Sequence, residues 1–257
     1  MDNVNKTLFI PLYGKAYVSR KGILLQDTKA EQIWKSEAFP LKRKAGSKWL
    51  AYYMGMRSAV FDRWLREKMA EFPDAVILHL GCGMDSRVHR IGTQGHAWFD
   101  VDFSEVIEER RRYFEETSEY HMISSDIRNT QWLQNLPDAR MAIVIMEGIS
   151  MYLKPAELAG LAERLKLKFS CCHILMDCYT ELAARTSKYK NPINEVGVTL
   201  VYGLDDPMML GLKLVKEHNM TPDDLIDQLT GKEKWVFRKV YAGSFARKLY
   251  RLYEFIT

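Results

Sequence analysis

The residues best suited to chemistry are two glycines one residue apart, Gly81 and Gly83, and a carboxylate about twenty positions further on, Asp102. The glycines follow an apolar run, Val76 to Leu80, that reads as a buried strand, so they stand where a strand turns into a helix. Without a Cβ at such a turn, backbone N–H groups can approach a ligand closely. Asp102 follows a second such run, and a carboxylate there can accept hydrogen bonds from ribose hydroxyls. The two elements point to one adenosine-like ligand. Asp85, Asp126, Glu147 and Asp177 also lie at or just past the ends of expected strands. With Asp102 they put an acid at the same end of five successive strands, and buried carboxylates cost free energy unless something binds them.

The dinucleotide fingerprint wants a third glycine where this chain has Ser86, so no pyrophosphate cradle is specified. A looser Gly-x-Gly turn followed by an acid suits S-adenosylmethionine (SAM), whose aminoacyl group lies against the glycine loop. Its sulfonium, ribose and amino group would engage the row of acids.

The residues Leu80-Gly-Cys-Gly-Met-Asp-Ser-Arg87, Phe99-Asp-Val-Asp-Phe-Ser-Glu-Val106, Ser125-Asp-Ile-Arg128, Trp132 and Glu147-Gly-Ile-Ser-Met-Tyr-Leu153 resemble the leucine carboxyl methyltransferase family, including its bacterial polyketide-type O-methyltransferases. Leu12-Tyr-Gly-Lys-Ala16, Gln26-Asp-Thr-Lys-Ala30, Arg57 with Phe61-Asp62, and Gly203-Leu-Asp-Asp-Pro207 extend the resemblance over most of the chain. Ser86 stands where Thr is usual, Ser104 where Pro is usual and Met146 where Ala is usual, and none of these removes a ligand-binding group.

The resemblance implies a class I SAM-dependent methyltransferase that yields S-adenosylhomocysteine (SAH), uses no metal and methylates a small-molecule oxygen. For cofactor binding it implies Lys15, Arg57, Gly81, Cys82, Gly83, Asp85, Asp102, Phe103, Ser125, Asp126, Ile127 and Glu147. Asp102 is expected on the ribose, Asp126 with Ile127 around the adenine, and Arg57, joined by Lys15, on the cofactor carboxylate. Arginine suits that carboxylate because its planar fork makes two parallel hydrogen bonds. Glu147 is expected by the methionyl part and the acceptor floor. Tyr152 is a candidate for positioning the acceptor, against the alternative of a core tyrosine.

These residues need a sheet to hold them. Strands are expected at Val76–Leu80, Ala97–Val101, Tyr120–Ser124, Ala142–Met146 and His173–Asp177, alternating with helices, and that alternation predicts a mostly parallel α/β sheet covered on both faces. Leu212–Met220 and Leu249–Ile256 complete a Rossmann-like seven-stranded sheet, and in the resembled family the last strand runs antiparallel. Residues 1–73 read as a helical cap broken at Pro11, Gly22 and Pro40, with Met56, Val60, Trp64, Leu65, Met69 and Phe72 at helical spacing until Pro73. Residues 74–178 form the SAM-binding core, 179–211 a substrate lid and 212–257 the closing strands, all within a single domain. A helix opens at Pro155 with Leu158, Leu161, Leu165 and Phe169 as its stripe.

A net charge of +4 does not by itself point to nucleic acid or membrane. The clusters Lys42-Arg43-Lys44 and Arg110-Arg111-Arg112 read as a loop and a solvated helix face. Cys82, Cys171, Cys172 and Cys178 lack metal-ligand spacing and read as reduced core thiols, in keeping with a cytoplasmic place. No run approaches the roughly 20 apolar residues that span a bilayer. The 47% hydrophobic share can fill a sizeable core. Trp235, Phe237, Tyr241, Tyr250 and Tyr253 are either core or an aromatic acceptor box, and His79, His89, His96 and His121 show no partner acid at catalytic spacing. With no base evident, a carboxylate acceptor is slightly favoured over a hydroxyl, since it is already ionised at neutral pH. A nucleic-acid or protein methyltransferase and a catalytically silent SAM-binding protein are the other readings.

Overall fold

The computed structural model describes residues 7–37, 39–41, 44–190 and 200–257. Among the described residues three helices precede the sheet: α1 (Phe9–Arg20), α2 (Thr28–Glu37) and α3 (Lys48–Glu71). The break expected at Pro11 does not occur. Pro11 lies in the first turn of α1, where backbone amides have no acceptor within the helix, so a missing N–H is tolerated. Ser47 caps α3 by accepting from the Leu50 amide at 3.3 Å. Met56, Trp64, Leu65 and Met69 form the buried side of α3.

The sheet comprises β1 (Val76–Leu80), β2 (Trp98–Asp102), β3 (Tyr120–Ser124), β4 (Met141–Met146), β5 (Cys171–Tyr179), β6 (Lys213–His218) and β7 (Tyr250–Ile256). Its order is β3-β2-β1-β4-β5-β7-β6. The first five strands pair parallel, and β7 runs antiparallel between β5 and β6. Every residue of β1 is buried, as a parallel strand covered on both faces must be. Ile77, Ile143 and Leu175 share a core with α3 residues Met56, Phe61 and Leu65. Val76, Leu78 and Val144 pack on the other face with Leu158, Leu161 and Leu165 of the helix Pro155–Lys168. Strand β5 is longer than expected because β4 pairs with Cys171–Met176 and β7 with His173–Tyr179, so the two together extend it at both ends.

Two consequences of this topology shape the site. The carboxyl ends of β1 to β5 share one edge, where ligands of open α/β sheets bind. Because β7 is antiparallel, its first residue, Tyr250, lies opposite Tyr179, the last of β5, at that same edge.

The expected lid begins inside β5, since Tyr179 is still a strand residue; the helix Glu181–Lys190 follows. Residues 191–199 of that segment, like Lys42 and Arg43 of the basic cluster, lie outside the described residues. The returning chain is pinned to the strand end, with the Leu204 amide donating to the Tyr179 carbonyl at 2.7 Å. No helix among the described residues is long and apolar enough to cross a membrane.

Candidate active site

The glycine turn takes the backbone where other residues resist going. Gly81 has φ +64° and Gly83 φ +51°. A Cβ on Gly81 would sit 2.2 Å from Ile149 Cγ2. The Gly83 amide donates to Asp102 Oδ2 at 2.7 Å and the Phe103 amide to Oδ1 at 2.8 Å, so the ends of β1 and β2 fix the carboxylate between them. Burial raises the Asp102 carboxyl above its ordinary range, opposed in part by those two amides. Among the described residues Asp102 forms no ion pair.

A cavity of about 670 Å³ opens beside this turn. It is lined by Lys15, Arg57, Gly81, Cys82, Gly83, Asp85, Asp102, Phe103, Ser125, Asp126, Ile127, Glu147 and Tyr152, together with residues of α1 and α3. Ile127 is buried and Phe103 exposed, and both line the cavity with Asp102. Of the described part of 179–211, only Tyr179 lines the cavity; Ile10 of α1 and Leu50, Tyr53 and Met54 of α3 line it as well.

The other strand-end acids do not stand open, contrary to the reading that a ligand must occupy them. Asp85 pairs with Lys15 at 3.1 Å, Arg87 at 3.3 Å and Arg90 at 2.8 Å. Glu147 pairs with Arg57 at 3.1 Å and with Arg87, and accepts from the Ser58 hydroxyl at 2.7 Å. Burial alone would raise both carboxyls, but Arg87 with Arg90 and Lys15 at Asp85, and Arg87 with Arg57 and Lys15 at Glu147, hold them well below the carboxylate range. Asp126 is chelated by Arg128 instead, which lowers it.

Asp177 accepts from Arg57 Nη1 at 3.0 Å, from the Gly148 amide at 2.6 Å and from the Tyr250 hydroxyl. Burial raises its carboxyl, and these partners offset that only in part. Arg57, assigned from sequence to the cofactor carboxylate, therefore spends Nε on Glu147 and Nη1 on Asp177 and Tyr250, where the Nη1 to hydroxyl distance is 2.8 Å.

Several members of this network were not legible as site residues. Arg110, read as part of a solvated face, is fully buried; it pairs with Asp100 and donates to the carbonyls of Gly83 at 2.7 Å and Asp85 at 2.9 Å, bracing the turn from behind. His79 does have an acid partner, since Nδ1 lies 3.2 Å from Asp100 across the β1–β2 register. Asp27 and Asp62 complete the set through Arg90. One signal was available: a carboxylate between Phe99 and Val101 inside a buried strand must have a partner. The aromatic box does not form, because Phe237 and Tyr253 are core and Trp235 faces outward, leaving Tyr250 at the cavity. Burial pushes the Cys82 thiol well above its ordinary value, so it packs as a neutral group.

A family model for leucine carboxyl methyltransferase matches residues 3–166. The chain belongs to the leucine carboxyl methyltransferase family. Like that family it is a SAM-dependent methyltransferase. It is 28% identical over 261 residues to the tetracenomycin polyketide synthesis O-methyltransferase TcmP of Streptomyces glaucescens, covering 98% of this chain and 97% of that one. A SAM-dependent methyltransferase of Gibberella zeae, dpfgK, is 26% identical over 233 residues, covering 82% of this chain and 78% of its own. Among solved structures, magnesium protoporphyrin IX methyltransferase of Synechocystis with bound SAH superposes with a TM-score of 0.51 at 10% identity, covering 90% of this chain and 94% of that one. A protein of the duf574 family from Streptomyces avermitilis superposes with a TM-score of 0.57 at 11% identity, covering 89% and 88%. At these identities the structures speak for the fold, the class I methyltransferase sheet of this leucine carboxyl methyltransferase relative.

Proposed function

We propose that the cavity holds SAM and that the protein transfers its methyl group to an oxygen of a small molecule. The observation that carries this reading is Asp102, an acid fixed by two amides at the glycine turn, without an ion pair among the described residues and lining the cavity with Phe103 and Ile127. That donor set fits a ribose diol with an adenine next to it. Asp102 binds the ribose hydroxyls; Phe103 and Ile127 hold the adenine faces, with Ser125 and Asp126 at its edge. Gly81, Cys82 and Gly83 admit the aminoacyl chain. Lys15 and the face of Arg57 left by its internal bonds meet the carboxylate, while Asp85 and Glu147 favour the ammonium.

Bound SAM supplies an electrophilic methyl. The protein's part is alignment, which can lower the barrier by roughly 7–11 kcal/mol when two reactants are held in a near-attack geometry. Tyr152 and Tyr179 sit at the acceptor side, which α1 and α3 line with more residues than the described part of 179–211 does. The oxygen assignment draws on the O-methyltransferase likeness of the relative that matches nearly the whole chain. The family resemblance favours a carboxylate acceptor slightly over a hydroxyl, and the Asp177–Tyr250 pair is a candidate base for a hydroxyl acceptor. Four free thiols suit a reducing place such as the cytoplasm.

Calorimetry with SAH, and turnover of methyl-labelled SAM against carboxylic acids, phenols and RNA, tests the reading. One SAH site per chain with label on oxygen is the expected result. No SAH binding, or label on RNA or on nitrogen, overturns it.

A further inference from the structure

We infer that residues 231–248, in the connection between β6 and β7, dock the protein on an anionic lipid surface. The inference goes beyond methyl transfer and does not depend on it.

This stretch carries Lys232, Lys234, Arg238, Lys239, Arg247 and Lys248 against a single acid, Glu233. It folds as the helix Gly231–Val236, a π-helical turn Phe237–Tyr241 and the short helix Ser244–Arg247. Phe237 fastens it from within: the ring is fully buried, stacks on Tyr241 at 4.5 Å and meets Tyr52 of α3 edge-on at 6.0 Å. Three other large apolar side chains are left out of that packing. Trp235 is 62% exposed, Val240 57% and Phe245 66%. One exposed apolar side chain is ordinary, but here three share a stretch with six cations.

The charge is not cancelled locally. Glu233 is taken by Lys48 at 2.8 Å, and Asp227 lies between Lys234 at 3.2 Å and Arg238. On the helix Asp223–Ile226, which packs beside the π-helical turn, Asp224 pairs with Arg63 at 2.5 Å, while Asp223 forms no ion pair among the described residues. Lys232, Lys239, Arg247 and Lys248 likewise form none. Four uncommitted cations thus face one uncommitted acid across the stretch and the helix beside it.

An anionic bilayer surface answers both halves of this pattern. Exposed apolar side chains enter the boundary between headgroups and acyl chains, with tryptophan especially suited to it, while lysine and arginine stay at the level of the phosphates. Such a surface asks for no shape complementarity. A protein partner would need a continuous patch of about 800 Å² on each side, whereas Trp235 and Val240 are separated along the chain by Arg238 and Lys239. Since no helix among the described residues can cross a membrane, the contact is peripheral and weakens with salt.

Co-sedimentation of the whole chain with phosphatidylglycerol vesicles, and in parallel with phosphatidylcholine vesicles, tests the inference. Wild type should partition onto the anionic vesicles at least about tenfold more strongly, and less so as salt is raised. The double change Lys239→Gln with Arg247→Gln should lower that partitioning by about tenfold or more, and Trp235→Ala with Phe245→Ala by about tenfold. All four positions are exposed, so melting temperature and SAH affinity should match wild type. No binding to phosphatidylglycerol vesicles, or equal binding to both kinds, overturns the inference without needing any variant to fold. Unchanged partitioning of the folded variants also overturns it. So does equally strong binding of soluble polyglutamate that survives Trp235→Ala with Phe245→Ala, since the patch would then be a site for an acidic protein.

Discussion

Arg57 and Asp177, 120 residues apart in the chain, meet at 3.0 Å where α3 crosses the carboxyl end of β5. The pair fastens the helical cap to the sheet, and the same guanidinium also holds Glu147 at the end of β4.

Removing Arg57 should therefore cost stability before it costs affinity. Arg57→Ala leaves Glu147 short of one cation and Asp177 without its ion-pair partner among the described residues, and breaking a buried pair in this way costs about 3–5 kcal/mol. Arg57→Lys should lose less, since the charge stays and only the fork is lost. Urea unfolding of both variants checks this; an Arg57→Ala protein as stable as wild type would show that the network carries little of the fold.

Asp102 should behave in the opposite way. It makes no ion pair among the described residues, so Asp102→Ala should weaken SAH binding by about 1–3 kcal/mol with a small change in unfolding midpoint. Calorimetry beside thermal melts separates the two effects, and unchanged affinity in a folded variant would remove Asp102 from the site.

Two glycine substitutions should move stability in opposite directions. Gly81→Ala places a Cβ 2.2 Å from Ile149 at φ +64°, and strain of this kind costs on the order of 1–3 kcal/mol. Gly160→Ala meets nothing within 4 Å on an exposed turn of the helix Pro155–Lys168, and should stabilise by about 0.5–1 kcal/mol. Thermal melts of the two proteins supply the comparison.

Acid should loosen the brace behind the glycine turn. Burial would raise Asp100, but Arg110 foremost, with His79 and Tyr120, holds it at about 2. With an unfolded value near ~3.9, its stabilisation is complete above roughly pH 4 and is lost as pH falls through 2. Wild type should thus lose about 1–2 kcal/mol more than Asp100→Asn between pH 5 and 2.5, measured by denaturant unfolding at each pH. Parallel losses in the two proteins would mean Asp100 is not the group that titrates.

Strands β1 to β5 were readable because each is a largely apolar run followed at its end by an acid, and local patterns of that kind fix strand positions to within a residue or two. Gly81, Gly83 and Asp102 were readable for the same reason, as strand-end residues. The cationic half of the site was not: Arg87, Arg90 and Arg110 sit on short helices where any arginine could face water, and burial followed only from packing the helices on the sheet. His79 and Asp100 became partners through strand register, which sequence spacing does not reveal. Pro11 misled because a proline in a first helical turn and a proline between helices look alike until the hydrogen bonds are placed.

The position of β7 sets an order on the protein's birth at the ribosome. Because β7 lies between β5 and β6, every strand but the last can be synthesised while the edge of β5 still shows its open backbone groups, and β6 has no neighbour at all. Such an edge is a template for pairing with other chains. Nascent chains stalled before residue 250 should then be retained by chaperones or precipitate, whereas chains carried through Ile256 should release as soluble monomers or defined oligomers. Stalling at successive lengths, followed by sedimentation, would show the change falling within β7; a gradual change spread over the preceding residues would mean the edge is already covered by something else.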